Sequence, residues 1–199
     1  MRIASFNING IKARLPRLKE WLEETRPTVA CLQEIKTMDE GFPADEFEAI
    51  GYKAIWHGQK GFNGVAILAD GVEPKEIQRG LGIDGPKEGE GEQARYLEAD
   101  VNGVRICNLY LPNGNPVPGP KYDYKLAWMA RLRDRAQALL ALEEPALLAG
   151  DALPFASSFD GGSLLLRDLR RVSLTPSRRP SPARALSLMV VSSFVTVSP

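Results

Sequence analysis

Four short apolar segments of this chain each end in a side chain that could act in metal binding or catalysis. Asn7 ends the first segment, Glu34 follows the second, Tyr110 ends the third and Asp151 the fourth. Short apolar runs bounded by polar or turn residues are typical of buried strands, and open α/β sheets bind their ligands at strand ends. Two carboxylates and an amide suit a hard divalent cation, above all Mg²⁺. These residues therefore predict a site for phosphate chemistry at one rim of a sheet.

Each of these residues also has a purely structural interpretation. Glu34 could pair with Lys36 at a strand end, which is a common and weak surface interaction. Asn7 could cap the helix that follows it, and Asp151 could likewise be a helix N-cap. Tyr110 could pack in a strand with its hydroxyl in water, or its phenol could donate a hydrogen bond to a phosphate oxygen. The sequence alone leaves these alternatives open.

Alternating strand and helix patterns run through residues 1–151 and must position these side chains. Apolar residues at helical spacing begin at Ile11 and stop before Pro27, and Asn102-Gly103 is a two-residue hairpin signal between two strands. Residues 121–142 predict a long amphipathic helix. Its predicted inner face consists of Leu126, Met129, Leu132, Ala136, Leu139 and Leu140. The expected class is α/β, with a mixed sheet flanked by helices.

The composition of the chain changes abruptly after Asp151. Ten of the eleven serines follow this residue, every lysine precedes it, and no acidic residue or histidine follows Asp168. We therefore divide the chain into a domain over residues 1–151 and an atypical Ser/Arg/Pro-rich tail over residues 152–199, which is either disordered or the product of a changed reading frame. Within this tail, residues 186–197 are apolar enough to form a strand. Resequencing the locus near codon 152 would test the reading-frame hypothesis.

The overall composition sets broad limits on function and location. A chain of 199 residues that is 44% hydrophobic can bury one ordinary core, and its zero net charge does not favour nucleic acid but leaves room for a local basic groove. Cys31 and Cys107 lie in apolar strand patterns, so we expect buried thiols in a reducing compartment. The N-terminus turns polar too early for a signal peptide, and no segment is long and apolar enough to span a bilayer. These features predict a cytoplasmic protein without membrane contact.

Five motifs carry a specific family resemblance. They are residues 5–10 (SFNING), 32–36 (LQEIK), 56–61 (WHGQKG), 108–114 (NLYLPNG) and 150–151 (GD). Together and in this order, they resemble the exonuclease III family, the bacterial abasic-site endonucleases of the endonuclease/exonuclease/phosphatase superfamily. The resemblance covers residues 1–151.

The resemblance implies a four-layer α/β sandwich and the Mg²⁺-dependent hydrolysis of DNA phosphodiesters, with Mn²⁺ as an alternative ion. The expected substrate is double-stranded DNA, cut 5′ to an abasic site or stepwise from a 3′ end. Glu34 would be the principal metal ligand, with Asn7 beside it. Asp151 would also lie at the metal and would orient the attacking water or protonate the leaving oxygen. Tyr110 would hydrogen-bond the scissile phosphate.

The resemblance also implies DNA-binding residues, namely Lys36, Arg95 and Asn113. The strongest of the motifs outside the catalytic positions is WHGQKG, which favours the DNA-repair branch of the superfamily. His57, the single histidine of the chain, lies in this motif and is expected to be structural or close to the substrate rather than a general base.

Two departures from the family pattern concern its second half. The family has an asparagine two residues after its aspartate, where this chain has Leu153. The family also has a later aspartate and ends with an Asp-His pair that serves the attacking water; this pair cannot exist here, because no histidine follows His57 and no acidic residue follows Asp168. We therefore expect weak activity or none, since loss of a catalytic base alone costs about 10³-fold or more. Alternatives are a non-catalytic remnant that binds magnesium or DNA, and another phosphodiesterase or phosphatase of the superfamily. Without the second half, the apolar face of the first sheet is expected to meet water and to allow self-association, unless the tail or a partner chain covers it.

Overall fold

The computed structural model describes residues 1–151 and the backbone of Leu186–Val190. The strands are β1 (Ile3–Asn7), β2 (Val29–Gln33), β3 (Tyr52–His57), β4 (Val65–Asp70), β5 (Lys75–Arg79), β6 (Tyr96–Val101), β7 (Val104–Tyr110), β8 (Ala146–Asp151) and β9 (Leu186–Val190). The helices are α1 (Ile11–Thr25), α2 (Ala44–Glu48) and α3 (Pro120–Ala141), with a 3₁₀ turn at Asp39–Gly41. Within these residues, no helix combines the length and the hydropathy that crossing a membrane requires.

The strands form two mixed sheets. The first sheet has the order β1-β2-β4-β3, in which β1 and β2 are parallel and the other pairs are antiparallel. The second sheet has the order β5-β6-β7-β8-β9, with β7, β8 and β9 mutually parallel. In the first sheet, β1 ends in Asn7 and β2 directly precedes Glu34. In the second sheet, β7 ends in Tyr110 and β8 in Asp151. Because the two strands of each pair are parallel neighbours, their carboxyl ends lie at one rim.

The two sheets pack face to face, with α1 and α2 on the outside of the first and α3 on the outside of the second. Side chains alternate along each strand, so β2 sends Ala30 and Leu32 towards the helices and Val29 and Cys31 towards the other sheet. The inter-sheet core is buried and contains Val29, Cys31, Val65, Ile67, Ala69, Leu97, Ala99, Val101, Ile106, Leu147 and Ala149. This arrangement is the expected four-layer sandwich, and both cysteines are buried free thiols as predicted.

The expected uncovered sheet face is wrong for the described part of the chain. The inner face of the first sheet is covered by the second sheet, because residues 75–151 supply four of the second sheet's strands. The fifth strand, β9, comes from the predicted apolar segment of the tail and pairs in parallel with β8. The rest of the tail, including Leu153 and the proposed change of reading frame, lies outside the described residues.

The predicted inner face of α3 needs a correction. Leu126 and Leu140 are 41% and 42% exposed, whereas the buried stripe runs through Tyr124, Trp128 and Leu132 at four-residue spacing and continues to Ala136 and Leu139. The aromatic side chains bury more apolar area than the leucines do, and they therefore set which face of the helix meets the second sheet.

A buried ionic cluster fixes α3 to the second sheet. The carboxylate of Glu98 is inaccessible to solvent and receives two hydrogen bonds from Arg135 on α3, at 2.9 and 2.7 Å. Arg105 and the Tyr96 hydroxyl complete its shell at 3.2 and 2.8 Å. These hydrogen bonds outweigh the burial that would otherwise raise the pKa of Glu98, and they hold it below the usual value. Removal of one partner from a buried ion pair of this kind strongly destabilises the folded protein.

Candidate active site at the open rim of the sandwich

The predicted site residues lie at the mouth of the layer between the two sheets. Asn7, Tyr110 and Asp151 each end a strand at an inward-facing position, because they continue the alternations Ile3-Ser5-Asn7, Ile106-Asn108-Tyr110 and Leu147-Ala149-Asp151. Tyr110 and Asp151 are direct partners in the β7–β8 register. Glu34 enters from the residue after β2, in the first sheet. The structure therefore brings together all four residues that the strand ends predicted.

Glu34 is the centre of the hydrogen-bond network at this rim. Its Oε1 accepts hydrogen bonds from the Tyr110 hydroxyl at 2.6 Å and from Asn7 Nδ2 at 2.7 Å. Its Oε2 forms an ion pair with Lys36 Nζ at 2.8 Å. The predicted surface pairing with Lys36 is thus present, but the carboxylate is only 19% exposed and is also held by residues of both sheets. The alternative in which the Tyr110 hydroxyl faces water is wrong.

Asn7 connects the two carboxylates of the site. Its Nδ2 donates to Glu34 and also to Asp151 Oδ2 at 3.0 Å, across 144 residues of sequence. Its Oδ1 accepts the backbone N–H of Asn9 at 3.0 Å. The helix-capping alternative is wrong, since α1 begins after Gly10 without any side-chain cap. The alternative for Asp151 concerns residues outside the described part.

The backbone at Glu34 adopts a conformation that turns its side chain towards the rim. Its own segment and the segments around Gly10 and Gly64 hold this conformation. Glu34 and Lys36 have φ values of +55° and +51°, which are uncommon for residues with a side chain. The turn is held by hydrogen bonds from Gly10 N to Glu34 O at 2.7 Å and from Ile35 N to Gly64 O at 3.2 Å. Gly64 is required here, because a Cβ would lie 2.4 Å from Ile35 Cγ1 and its own φ is +87°.

A buried polar cluster lies directly behind the rim. Gln33 Nε2 donates to Asn108 Oδ1 at 2.7 Å and to Ser5 Oγ at 3.0 Å. Asn108 Nδ2, from the second sheet, donates to the carbonyls of Leu32 and Ala66 in the first sheet at 2.9 and 2.8 Å. Hydrogen bonds between buried side chains of the two sheets favour one relative position of the layers, so this cluster helps to set the distance between Glu34 and Tyr110.

The sequence contains a signal for three polar residues that the strand ends alone do not reveal, namely Ser5, Gln33 and Asn108. Ser5 and Asn108 lie two residues before a rim residue, and Gln33 lies directly before one. All three occupy inward-facing positions of their strands. A polar side chain at a position that alternation predicts to be buried requires a polar partner.

Arg95 packs against the rim tyrosine rather than facing open solvent. Its guanidinium lies 4.7 Å from the centre of the Tyr110 ring, and it donates to Gln93 Oε1 at 2.6 Å and to the Tyr110 carbonyl at 3.3 Å. Tyr110 N in turn donates to the Arg95 carbonyl at 2.8 Å. Cation–π contact and main-chain pairing together fix the Tyr110 ring.

The other two predicted DNA-binding residues differ in exposure. Lys36 lies beside Glu34 and also donates to the Asn9 side chain. Asn113 is exposed on the loop after β7, where its carbonyl lies 3.4 Å from the buried amine of Lys125. Their contacts with DNA stay a prediction.

The hydrogen bonds of the rim also set its protonation states. Partial burial acts to raise the pKa of Glu34, but the hydrogen bonds from Lys36, Tyr110 and Asn7 outweigh it and hold that pKa below the usual value. Burial, followed by the contact with Glu34, raises the pKa of Tyr110 above the ordinary range of a phenol. At neutral pH, Glu34 is therefore a carboxylate and Tyr110 is a hydrogen-bond donor.

The donor set is compatible with magnesium. No group of three or more acidic, histidine or cysteine side chains converges anywhere in the described residues. Glu34 and Asp151, however, both lie within hydrogen-bonding distance of one amide nitrogen. Mg²⁺ in proteins is commonly held by one or two carboxylates and completes its shell with water and substrate phosphate, which fits this pair with Asn7 beside it.

Two further residues of the motifs have structural roles. Gly150 allows β8 to approach the neighbouring strand β7, because a Cβ there would lie 1.9 Å from the Leu109 carbonyl oxygen. His57 ends β3, which β4 separates from β2. Burial lowers the pKa of His57, in agreement with a structural role.

Comparison with known proteins agrees with this geometry. The sequence profile of the Endonuclease/Exonuclease/phosphatase family matches residues 4–152, which is about three quarters of the chain. The protein belongs to the endonuclease/exonuclease/phosphatase family. Among curated proteins, Exodeoxyribonuclease III of Haemophilus influenzae is 36% identical over 167 residues, which are 81% of this chain and 61% of that protein. The chain thus spans about three fifths of the length of this relative.

Solved structures of nucleases share the fold. An AP endonuclease from Archaeoglobus fulgidus superposes with a TM-score of 0.66 at 36% identity, over 76% of this chain and 56% of that one. The 3′ phosphatase NExo from Neisseria, bound to a product DNA hairpin, gives a TM-score of 0.66 at 32% identity, over 76% of this chain and 57% of that one. The endonuclease/exonuclease/phosphatase superfamily and the fold, both predicted through the five motifs, are confirmed.

Proposed function

We propose that the rim is the metal- and phosphate-binding part of an exonuclease III-like DNA repair nuclease that hydrolyses phosphodiesters with Mg²⁺ or Mn²⁺. The observation that carries the proposal is the convergence of Asn7, Glu34, Tyr110 and Asp151 in one hydrogen-bonded network. The relatives named for abasic-site endonuclease and exodeoxyribonuclease activity support this class of reaction. The proposed partner is duplex DNA with abasic sites or 3′ ends.

In this proposal the ionised Glu34 is the principal metal ligand, with Asn7 and Asp151 beside it. The bound cation would neutralise the charge that develops on the phosphoryl oxygens. Tyr110 keeps its proton. When a cation takes up the Glu34 carboxylate, the Tyr110 hydroxyl would exchange its hydrogen bond to Glu34 for one to a phosphate oxygen, and Arg95 fixes the ring for this contact. Asp151 orients the attacking water or protonates the leaving oxygen. Lys36, Arg95 and Asn113 bind the DNA backbone.

The second candidate is a remnant that binds magnesium and DNA without turnover. Two observations on the sequence favour it: no histidine follows His57, and no acidic residue follows Asp168. The chain then has no group to fill the place of the Asp-His pair that the resemblance implies for the family. We therefore propose slow incision or none, with metal and DNA binding retained.

Incubation of the purified chain with a duplex that carries one abasic site, in Mg²⁺ and then in EDTA, tests both candidates. The critical variant is Glu34→Gln, which keeps the shape of the side chain and removes its charge. Glu48→Gln is a matched control, because Glu48 lies on the surface in α2 and pairs only with Lys53. A magnesium titration of thermal stability and a DNA-binding assay are run on the same three proteins.

Each outcome separates the candidates. Magnesium-dependent incision that Glu34→Gln abolishes and Glu48→Gln preserves supports the nuclease. Binding of Mg²⁺ and duplex without incision, lost in Glu34→Gln, supports the remnant. A chain that neither binds Mg²⁺ at Glu34 nor binds duplex would refute both.

A further inference from the structure

Gln59, in the WHGQKG motif between β3 and β4, uses one side-chain oxygen to join the two sheets. Its Oε1 accepts the side-chain amide of Asn63 at 2.9 Å and the backbone N–H of Ala94 at 3.1 Å. Asn63 belongs to the same loop of the first sheet, whereas Ala94 directly precedes the β6 region of the second sheet. A backbone N–H can only donate, so Ala94 fixes the end of the Gln59 amide that points inward.

A third hydrogen bond closes this contact into a ring. Gly64 N donates to the Ala94 carbonyl at 2.9 Å, so the loop of the first sheet holds Ala94 at both its N–H and its C=O. Asn63 is 4% exposed and Ala94 is 1% exposed, and buried donors that lose their acceptor cost stability. We call Gln59, Asn63, Gly64 and Ala94 the inter-sheet clamp.

The first-sheet side of the clamp supports the turn that carries Glu34. The Asn63 carbonyl accepts Lys36 N at 3.0 Å, and the Gly64 carbonyl accepts Ile35 N at 3.2 Å. Glu34 has a φ of +55°, which is uncommon for a residue with a side chain and persists when the surrounding structure holds it. These two hydrogen bonds, on the two residues that follow Glu34, are part of that support.

The second-sheet side of the clamp leads to Tyr110. Arg95 directly follows Ala94, its carbonyl accepts Tyr110 N at 2.8 Å, and its guanidinium lies 4.7 Å from the centre of the Tyr110 ring. The Tyr110 hydroxyl and Glu34 meet at 2.6 Å. Both partners of this hydrogen bond are therefore supported by backbone segments that share the single acceptor oxygen of Gln59.

We propose that Gln59 is a positioning residue of the rim. By accepting from Asn63 and Ala94 with one oxygen, it keeps Glu34 and Tyr110 at the separation that a cation and a phosphate oxygen between them require. Gln59 acts through the backbone of the two sheets and not by contact with either ligand. The identity of these ligands rests on the proposed function, whereas the geometry of the clamp does not.

Two substitutions separate the acceptor of Gln59 from its size. Gln59→Met keeps the length of the side chain and removes the acceptor, whereas Gln59→Glu keeps an acceptor oxygen. Gln137→Met is the matched control, because Gln137 is exposed on α3. Ile106→Val removes one methylene group from the inter-sheet core and controls for a loss of stability as such. Asn63→Gly removes the donor from the first-sheet side at a positive φ that suits glycine, and it replaces Gln59→Met if that variant does not fold.

Amide hydrogen exchange and the carbon-13 signal of the Glu34 carboxyl are measured by NMR on the full chain in EDTA. In Gln59→Met, the amides of Ile35, Lys36 and Tyr110 should exchange about 2- to 10-fold faster than in the parent chain, the factor that corresponds to the net contribution of one hydrogen bond. The Glu34 carboxyl signal should shift, because its hydrogen bond from Tyr110 loosens.

The other variants show whether the effect belongs to the clamp. Gln59→Glu should restore the exchange rates of the parent chain, and Gln137→Met should leave them unchanged. Asn63→Gly should accelerate exchange at Lys36, whose N–H is bonded to the carbonyl of residue 63. Ile106→Val should alter exchange across the sheets without selecting the amides beside the rim.

A titration with Mg²⁺, followed by the Glu34 carboxyl signal, connects the clamp with the proposed metal site. Gln59→Met should weaken binding about 10-fold, because loss of a residue that orients a metal ligand typically costs about 10- to 100-fold in affinity. This readout uses neither DNA nor turnover.

Faster exchange beside the rim in Gln59→Met, restored by Gln59→Glu, supports the clamp whether or not the parent chain binds Mg²⁺. A parent chain that does not bind Mg²⁺ would count against the proposed function alone. Mg²⁺ binding that is equally tight in the parent chain and in Gln59→Met would overturn the positioning role while the proposed function stands. Exchange that stays at the parent values, or that rises throughout the chain, would also overturn it.

Discussion

Replacing Asn108 by alanine should remove hydrogen bonds between the two sheets and lower the free energy of unfolding, by an amount that follows from its contacts. Asn108 is fully buried and makes three hydrogen bonds of 2.7 to 2.9 Å, to Gln33, Leu32 and Ala66. A net contribution of about 1 kcal/mol each gives a loss of about 3 kcal/mol. Small domains have only about 5–15 kcal/mol of stability in total, so this substitution should remove a large part of it.

Equilibrium unfolding in urea, followed by tryptophan fluorescence, measures this loss. With a slope of about 2 kcal/mol per molar, the midpoint for Asn108→Ala should fall by about 1.5 M while the slope stays constant. Gln137→Ala is the control, because Gln137 lies on the exposed face of α3, and surface substitutions of this kind change stability by about 0.5 kcal/mol or less.

Asn108→Asp sharpens the test. It keeps the size and one acceptor of the side chain but turns a carboxylate oxygen towards the Leu32 and Ala66 carbonyls, where Nδ2 now donates. We expect this variant to be less stable at neutral pH than the alanine variant, because it buries an unpaired charge. A midpoint for Asn108→Ala within 0.3 M, or about 0.6 kcal/mol, of the parent chain would refute the idea that this amide holds the sheets together.

Three further predictions concern the rim and the core. Tyr110→Phe removes one of the hydrogen bonds that lower the pKa of Glu34, so a carbon-13 NMR titration of the Glu34 carboxyl should give a higher pKa than in the parent chain; an equal or lower value would contradict the assigned network. Glu98 has a depressed folded pKa, so its stabilisation is complete above the unfolded value of 4.5 and is lost as the pH falls through the folded value. Glu98→Gln should therefore destabilise at pH 7 in urea unfolding, by an amount that shrinks below about pH 4.5, whereas a pH-independent difference would exclude the ionic explanation. Gly64→Ala should lower the free energy of unfolding by about 1–3 kcal/mol, since the added Cβ would overlap Ile35 and the φ of this residue is positive. Gly71→Ala is the control, because Gly71 also has a positive φ but open space around the added Cβ. An equal loss of stability in both variants would show that conformational strain alone is responsible.

Much of the rim was predictable because its information is local. Each site residue ends an apolar segment, and the two-residue period of a strand places Asn7, Tyr110 and Asp151 on the same face as the apolar residues before them. Hydrophobic runs, a hairpin signal and helical spacing located the main elements through short-range rules. The five motifs then indicated a family within the endonuclease/exonuclease/phosphatase superfamily, and the sequence profile confirms the superfamily.

Other features depend on which surfaces meet, and local rules do not decide that. Helical spacing allowed several faces of α3 to be buried, and the second sheet selected the face with Tyr124 and Trp128 over the one with Leu126. The extra strand β5 is largely exposed and has no apolar period, so nothing in its sequence distinguished it from a loop. Its existence depends on pairing with β6.

The sequence by itself determined the polar residues at the strand ends, the buried cysteines and the family. Only the tertiary structure decided that one amide of Asn7 joins Glu34 to Asp151 and that Gln33 meets Asn108 between the sheets. The physical reason is that strand alternation fixes the side of a sheet on which a side chain lies, whereas its partner is fixed by the burial of apolar surface across residues distant in the chain.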